Sequence, residues 1–209
     1  MARNLPPTQR RTQFAAAAQR AMSRKGTFNV SLRDVAREAG VSPGAILYHY
    51  DDFEAVLVAA WQDLSERFGQ QRRRILELDA AEPARLATAI HHAVPSGSAD
   101  ERYLLYAAIG HYRSNATMRA LARATTHAEI ALYHTIIEAG SARGVFTLGD
   151  RSIAIARTIV GLTHGLGIWI VHDDPEVGFA EGEHLVRGYA EALTSVKLPS
   201  PLSLADLET

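Results

Sequence analysis

Twenty consecutive residues, 31–50, restrict the possible folds of this chain more than any other stretch, and they read SLRDVAREAGVSPGAILYHY. Ser31 can begin a helix, because a serine hydroxyl accepts a hydrogen bond from a backbone N–H of the first turn. Gly40 can adopt the left-handed conformation that ends a helix. Ser42 and Pro43 then supply a second cap and a proline suited to a first helical position. The pattern predicts two short helices joined by a four-residue turn.

The second predicted helix has an inner and an outer face. Ile46 and Tyr50 lie four residues apart and are expected to face the core. The outward residues are Pro43, Gly44, Ala45, Leu47, Tyr48 and His49. A recognition helix places its N-terminal residues at base edges in the major groove, where small side chains permit a close approach. Tyr48 and His49 would then reach phosphates, although an ordinary corner between two helices is the alternative interpretation.

The segment resembles the DNA-binding domain of the TetR family of bacterial regulators over roughly residues 10–60. The residues that carry this resemblance are Phe14, Ala18, Gly26, Ser31, Asp34, Val35, Ala36, Ala39, Gly40, Val41, Ser42, Gly44, Tyr48, His49 and Tyr50. It implies that Ser31 contacts a phosphate, that Arg33 reaches a base, and that residues 43–49 lie in the groove. The predicted DNA-binding set is Ser31, Arg33, Ser42, Pro43, Gly44, Ala45, Leu47, Tyr48 and His49.

Two positions depart from the usual pattern of that family. Leu47 stands where a tyrosine is common, and Asp51, Asp52 and Phe53 stand where a lysine usually begins the fourth helix. The missing lysine removes an expected phosphate contact. Affinity for DNA is therefore expected to depend more on the N-terminal arginines.

Charge is unevenly distributed, although the whole chain carries a formal net charge of only −1. Residues 1–50 hold eight Arg or Lys and two Asp or Glu, a net charge of +6, and the remaining residues carry −7. A basic surface attracts DNA, whereas an acidic one is repelled by it. Only the N-terminal quarter is therefore predicted to contact DNA. Arg10 and Arg11 could clamp the DNA backbone there, or could lie at a solvated helix end.

Composition favours an all-α protein. The 209 residues are 47% hydrophobic and 7% aromatic, enough for a sizeable and mostly aliphatic core. Alanine and leucine are plentiful and strand-like alternation is hard to find. The absence of cysteine excludes disulfides and thiolate metal sites. No basic and then apolar leader is recognised, so a cytoplasmic location is expected.

The predicted all-α fold has about nine helices. A three-helix helix-turn-helix domain is expected in residues 1–50, a larger ligand-binding and dimerisation domain in residues 51–198, and a disordered tail in residues 199–209. A long helix from residue 52 to about residue 78 would span about 40 Å. Three consecutive residues within it, Arg72, Arg73 and Arg74, cannot share one helix face and are interpreted as solvated surface. Proline, glycine and aspartate clusters separate the later helices.

The apolar stretch 153–171 is predicted to be a buried helix rather than a membrane span, because Arg157 and His164 interrupt it. Its glycines would let a second helix approach closely, so it is expected to pair with the last helix across the interface of a homodimer. The predicted interface residues are Gly161, Gly165, Ile168, Leu185 and Tyr189. This C-terminal half is loosely similar to a TetR branch that includes choline-responsive repressors, through GVF, an aspartate and a GL…GL…W stretch.

The candidate ligand-binding residues are mainly aromatic and histidine side chains: Phe68, Tyr103, Tyr106, His111, His127, Ile130, His134 and Trp169. Such walls would suit a mostly apolar effector with one or two hydrogen-bonding groups. The alternative is that these side chains simply fill the core. The histidines form no His-x-x-x-His pair with a carboxylate at metal spacing, so no metal site is predicted.

No nucleophile elbow, glycine-rich phosphate loop or convincing acid–base pair is found, and neither enzyme activity nor a cofactor is predicted. The features together predict a homodimeric transcriptional regulator, a repressor that a small molecule releases from an inverted-repeat operator in double-stranded DNA. Two alternatives remain open. A catalytic or ligand-storage helical bundle would show turnover or storage, and an architectural DNA binder would prefer no site over bulk DNA.

Overall fold

The computed structural model describes residues 6–97, 101–107 and 115–204. Within these ranges the chain forms nine α-helices and no strand, which confirms the all-α prediction. The helices are α1 (Pro7–Lys25), α2 (Leu32–Ala39), α3 (Pro43–Leu47), α4 (Phe53–Glu77), α5 (Glu82–Ala93), α6 (Arg102–Ala107), α7 (Ala116–Ala142), α8 (Ser152–Val171) and α9 (Phe179–Thr194).

The helix boundaries follow from local chemistry in the sequence. Gly26 ends α1 with a φ of 80°, a conformation that costs glycine little. Asp52 caps the N-terminus of α4 by accepting a hydrogen bond of 2.8 Å from the backbone N–H of Ala55. Asn115 does the same for α7 through the N–H of Met118, at 2.9 Å. The long fourth helix predicted from residue 52 is thus present.

The chain divides into two compact units. The N-terminal unit comprises Met1–Arg67 and Leu104–Ala122, and the C-terminal unit comprises Phe68–Tyr103 and Arg123–Thr209. Helix α4 belongs to the first unit up to Arg67 and to the second beyond it. This division into compact units does not test the predicted boundary between a DNA-binding and a ligand-binding domain after residue 50, which stays a prediction.

The core of the N-terminal unit is built on one face of α1. Phe14, Ala17, Ala18 and Ala21 are all buried there. Gln19 is also buried, and its side-chain amide donates to the backbone oxygen of Ala60 at 2.7 Å and to Asp63 at 2.9 Å. These bonds fasten α1 to the first half of α4, because a buried amide needs its partners to offset lost hydration.

The core of the C-terminal unit is aliphatic, as the composition predicts. Buried leucine, isoleucine and valine side chains from α4, α5, α7, α8 and α9 form one cluster. Residues 199–204 belong to the segment predicted to be a disordered tail, and two of them contact the rest of the C-terminal unit. The backbone N–H of Leu202 donates to Thr88 at 2.9 Å, and Leu204 packs on the core. The partial burial of Leu204 and this hydrogen bond explain why residues 199–204 differ from the predicted disordered tail. Residues 205–209 lie outside the described part of the chain.

Helix α8 is long and apolar enough to cross a membrane by length and composition alone, the single such helix in the part of the chain that the structure describes. Nevertheless 44% of its most apolar window is buried within the protein. Ile155, Ala156 and Ile159 are fully buried members of the C-terminal core. The predicted buried helix therefore contributes one side to the core and leaves another side exposed.

Candidate functional site

The first helix of the helix-turn-helix is fixed by a reciprocal cap. Ser31 Oγ donates to Asp34 Oδ2 at 2.6 Å, and the Asp34 backbone N–H donates to Ser31 Oγ at 3.4 Å. The Ser31 backbone N–H donates to the same carboxylate at 3.0 Å. The hydrogen bond from Lys25 and those from Ser31 hold the pKa of Asp34 well below its usual range. Because the Ser31 hydroxyl donates to Asp34, a phosphate contact by this hydroxyl would require it to reorient.

The turn and the second helix form as the sequence predicts. Gly40 has a φ of 68°, and the Val41 backbone N–H donates to the oxygen of Ala36 at 3.0 Å. Ser42 Oγ then accepts from the N–H of Ala45 at 3.3 Å and starts α3. Both ends of the turn therefore have their backbone groups satisfied, and α3 is held at a defined angle to α2.

The side chains of α3 and the residues after it separate into two faces, as predicted. Ile46 and Tyr50 are buried, while 85% of Tyr48 is exposed. Leu47 is exposed as well. His49 is half-buried, with its ring centroid 5.6 Å from that of Phe14 and 5.2 Å from that of Tyr48. Tyr48 is therefore free to meet a partner, whereas His49 is held between two rings.

Basic residues surround this surface, and the two acids of the segment lie among them. Asp34 pairs with Lys25 at 2.7 Å and with Arg37 at 3.2 Å. Glu38 pairs with Arg24 at 2.6 Å and with Arg20 at 3.6 Å. Each acid faces two cations, so neither leaves a locally negative patch. The predicted base contact, Arg33, is exposed on α2.

Residues 15–60 match the family model described as bacterial regulatory proteins, tetR family. This range holds most of α1, all of α2, the turn and α3, and the start of α4. This part of the chain therefore matches the TetR family. No curated protein matches the chain.

Solved structures of transcriptional regulators share the fold across most of the chain. One similar structure is a Saccharomonospora viridis protein described as a transcriptional regulator in complex with choline; it is 20% identical, with a TM-score of 0.81, covering 88% of this chain and 96% of that chain. A TetR transcription regulator from Haloarcula marismortui is 22% identical, with a TM-score of 0.76 and coverages of 89% and 98%. The regulator FadR from Bacillus subtilis, in complex with stearoyl-CoA, is 17% identical, with a TM-score of 0.69 and coverages of 88% and 98%.

The residues predicted to bind a ligand are distributed over both compact units. Phe68 and Tyr103 belong to the C-terminal unit and Tyr106 to the N-terminal unit. Ile130 and His134 are half-buried on α7, where His127 is exposed. His111 lies outside the described residues. Trp169 is 53% exposed on the outer side of α8.

The residues predicted to form a dimer interface lie mainly on the exposed side of α8 and α9. Gly161 and Gly165 are exposed, and a Cβ atom added to either would meet no atom within 4 Å. Ile168 and Leu185 are exposed apolar side chains. Tyr189 differs, because it is half-buried against the C-terminal core. The exposed Trp169 extends the same apolar face of α8.

The C-terminal unit contains a partly buried polar cluster that the sequence did not predict. The interpretation of Arg72 as solvated surface was wrong, because its side chain is only 14% exposed and pairs with Glu129 of α7 at 3.6 Å. Glu129 also contacts Nε2 of His164 on α8, at 2.7 Å. One signal was available in the sequence: Arg72 follows Phe68 by four residues and precedes Ile75 by three, which places it on the apolar side of α4.

Proposed function

We propose that this protein is a homodimeric transcriptional repressor that binds an inverted-repeat operator and is released by a small-molecule effector. The observation that carries the proposal is the capped helix-turn-helix, whose α3 buries Ile46 and presents Tyr48 outward. This arrangement supports a recognition helix in the major groove. The net charge of +6 in residues 1–50 supports binding to a polyanion.

Dimerisation would pair the exposed faces of α8 and α9 from two chains across a two-fold axis. Apolar side chains on adjoining helices, with glycines that allow close approach, support this proposal. Two α3 helices related by that axis would lie in successive major grooves, about 34 Å apart. An operator made of two inverted half-sites follows from this symmetry, and we propose that the protein binds it in the cytoplasm.

Release would follow from effector binding in the larger helical region. A ligand that prefers one arrangement of α4 would change the separation of the two recognition helices. A change of a few ångströms would prevent them from fitting two successive major grooves at once. Choline in the Saccharomonospora viridis structure and stearoyl-CoA in FadR support a small molecule as the effector class. A regulator of this kind is a binding protein and not an enzyme.

The test of the proposal is footprinting on genomic fragments with the full-length protein. We expect protection of an inverted repeat, with binding that weakens steeply as salt rises. Tyr48→Ala should weaken binding to all sequences about tenfold, since its predicted contact is to phosphate, whereas Arg33→Ala should change the preferred sequence. Protection without a palindrome, or unchanged binding by Tyr48→Ala, would contradict the proposal.

A further inference from the structure

Arg72 has few polar partners for a guanidinium whose side chain is only 14% exposed. Among the residues the structure describes, it makes one ion pair, to Glu129 at 3.6 Å, and no hydrogen bond. An arginine side chain carries five N–H donors in a planar fork. Burial lowers the pKa of Arg72, although the negative charge of Glu129 acts to raise it. The attraction of Glu129 therefore falls short of the lost hydration.

Glu129 is committed to another partner. Its second oxygen lies 2.7 Å from Nε2 of His164. Burial alone would lower the pKa of His164, but the hydrogen bond and the charge of Glu129 outweigh burial and raise it. Glu129 is therefore shared between His164 and Arg72, and its contact with Arg72, at 3.6 Å, is the longer of the two.

A second polar side chain, His92, has a buried nitrogen without a partner among the residues described. Nε2 of His92 is buried and has no hydrogen bond within the described ranges. Burial lowers the pKa of His92, and the charges of His91 and Arg102 lower it further, so its ring is neutral at pH 7. Arg102 donates to the His92 backbone oxygen, and its guanidinium lies 4.7 Å from the Phe68 ring centroid. The charge of Arg102 also acts on Arg72.

The positive charges of Arg72 and Arg102 determine which charge a ligand group bound near them can carry. A cationic head group would meet Arg72 and Arg102, while Glu129 is already engaged. An anionic group would instead accept charge-assisted hydrogen bonds from the fork of Arg72 and could accept one from a neutral His92. The Phe68 ring, which the Arg102 guanidinium contacts, would supply apolar surface for the body of such a molecule.

We propose that the effector of this protein carries a carboxylate or an equivalent monoanion on an apolar body, and that the guanidinium of Arg72 binds this group. The inference rests on the proposed function, since it assigns the chemistry of that effector. It also distinguishes this chain from the relative that holds choline, whose head group is a cation.

The test uses matched probes that share a body and differ in the head group. Hexanoate, hexanamide and hexyltrimethylammonium form one set; phenylacetate, phenylacetamide and benzyltrimethylammonium form another. We expect the carboxylate of at least one set to raise the melting temperature of the full-length protein saturably, and its amide and ammonium counterparts to have much weaker effects. Failure of both carboxylates, or equal effects of a matched amide or ammonium, would overturn the proposal.

Arg72→Gln should weaken the carboxylate about ten- to hundredfold, the usual range for loss of a hydrogen bond to a charged group. Arg73→Gln is the control, because it removes the same charge from the exposed neighbouring position and should leave affinity unchanged. Should Arg72→Gln fail to fold, Arg72→Lys keeps the charge, removes the fork and should still weaken binding. Retained affinity in the folded Arg72 variant would overturn the assignment.

Operator footprinting by the wild-type protein distinguishes failure of the effector assignment from failure of the proposed function. A protected inverted repeat together with no preference for carboxylates would sink only the assignment of the effector. Absence of any protected operator would sink the proposed function itself, whatever the probes do.

Discussion

Arg11 makes contacts that a phosphate-binding arginine would have to give up. Its Nη1 donates to the backbone oxygen of His49 at 2.7 Å, and its guanidinium lies 4.3 Å from the Tyr50 ring centroid. Tyr50 in turn donates its hydroxyl to the backbone oxygen of Arg11 at 3.1 Å. The sequence suggested a clamp on DNA or a solvated helix end. The structure gives Arg11 a third role, holding the residues just after α3 against α1.

The salt dependence of operator binding distinguishes these roles. If Arg11 positions α3, Arg11→Ala should weaken binding about tenfold at every salt concentration and leave the slope of log K against log salt unchanged. A direct role at the DNA backbone would instead reduce the slope by about 0.9 for each phosphate that the arginine neutralises. Arg73→Ala is the control, because it removes the same charge from an exposed position outside residues 1–50 and should change neither the affinity nor the slope. A reduced slope for Arg11→Ala would show that this arginine binds DNA after all.

At the scale of the helices, Gly140 shows a constraint that periodicity does not reveal. A Cβ atom at this position of α7 would lie 2.3 Å from Cδ2 of Phe146, closer than two carbon atoms can approach. The backbone N–H groups of Val145 and Phe146 both donate to the oxygen of Gly140, at 2.8 and 3.1 Å. The chain after α7 therefore folds back onto this glycine, and the ring of Phe146 is buried over it.

Gly140→Ala should lower the free energy of unfolding by about 1–3 kcal/mol, the usual cost of overpacking a core. Gly69→Ala in α4 is the matched control, because the nearest atoms to its added Cβ are arginine tips at 3.7 and 3.8 Å. There alanine should be neutral or slightly stabilising, since it restricts the unfolded chain. Urea unfolding measures both variants. An unchanged midpoint for Gly140→Ala would show that Phe146 moves aside at no cost.

Some features of these helices could be predicted from the sequence, and others could not. Helix boundaries were predictable because caps such as Ser31 and turns such as Gly40 act within a few residues. The inner face of α3 was predictable because periodicity alone separates Ile46 from Tyr48. The paired state of Arg72 was not, since Glu129 lies 57 positions later, and only tertiary packing brings α7 to that side of α4.

At the scale of the whole molecule, the exposed side of α8 and α9 is the feature that a lone chain leaves unexplained. Trp169, Ile168 and Leu185 expose apolar area there, beside two glycines with open space above them. Scattered apolar residues are normal on a protein surface, but a contiguous group on two adjoining helices is typical of an interface. Trp169 and Ile168 are neighbours in sequence, and their joint exposure could not be derived from composition.

Gly165→Leu should convert the protein to monomers, because a leucine at a glycine contact prevents two helices from approaching closely. Operator binding should fall at least tenfold, although the helix-turn-helix is untouched, since one half-site alone gives much weaker binding. Ala131→Leu, at an exposed position of α7, is the control and should remain dimeric. Sedimentation at micromolar concentration reports the oligomeric state, and circular dichroism reports folding. A folded Gly165→Leu variant that still sediments as a dimer would place the interface elsewhere, and a monomeric wild type would remove the two-fold axis on which the inverted-repeat operator depends.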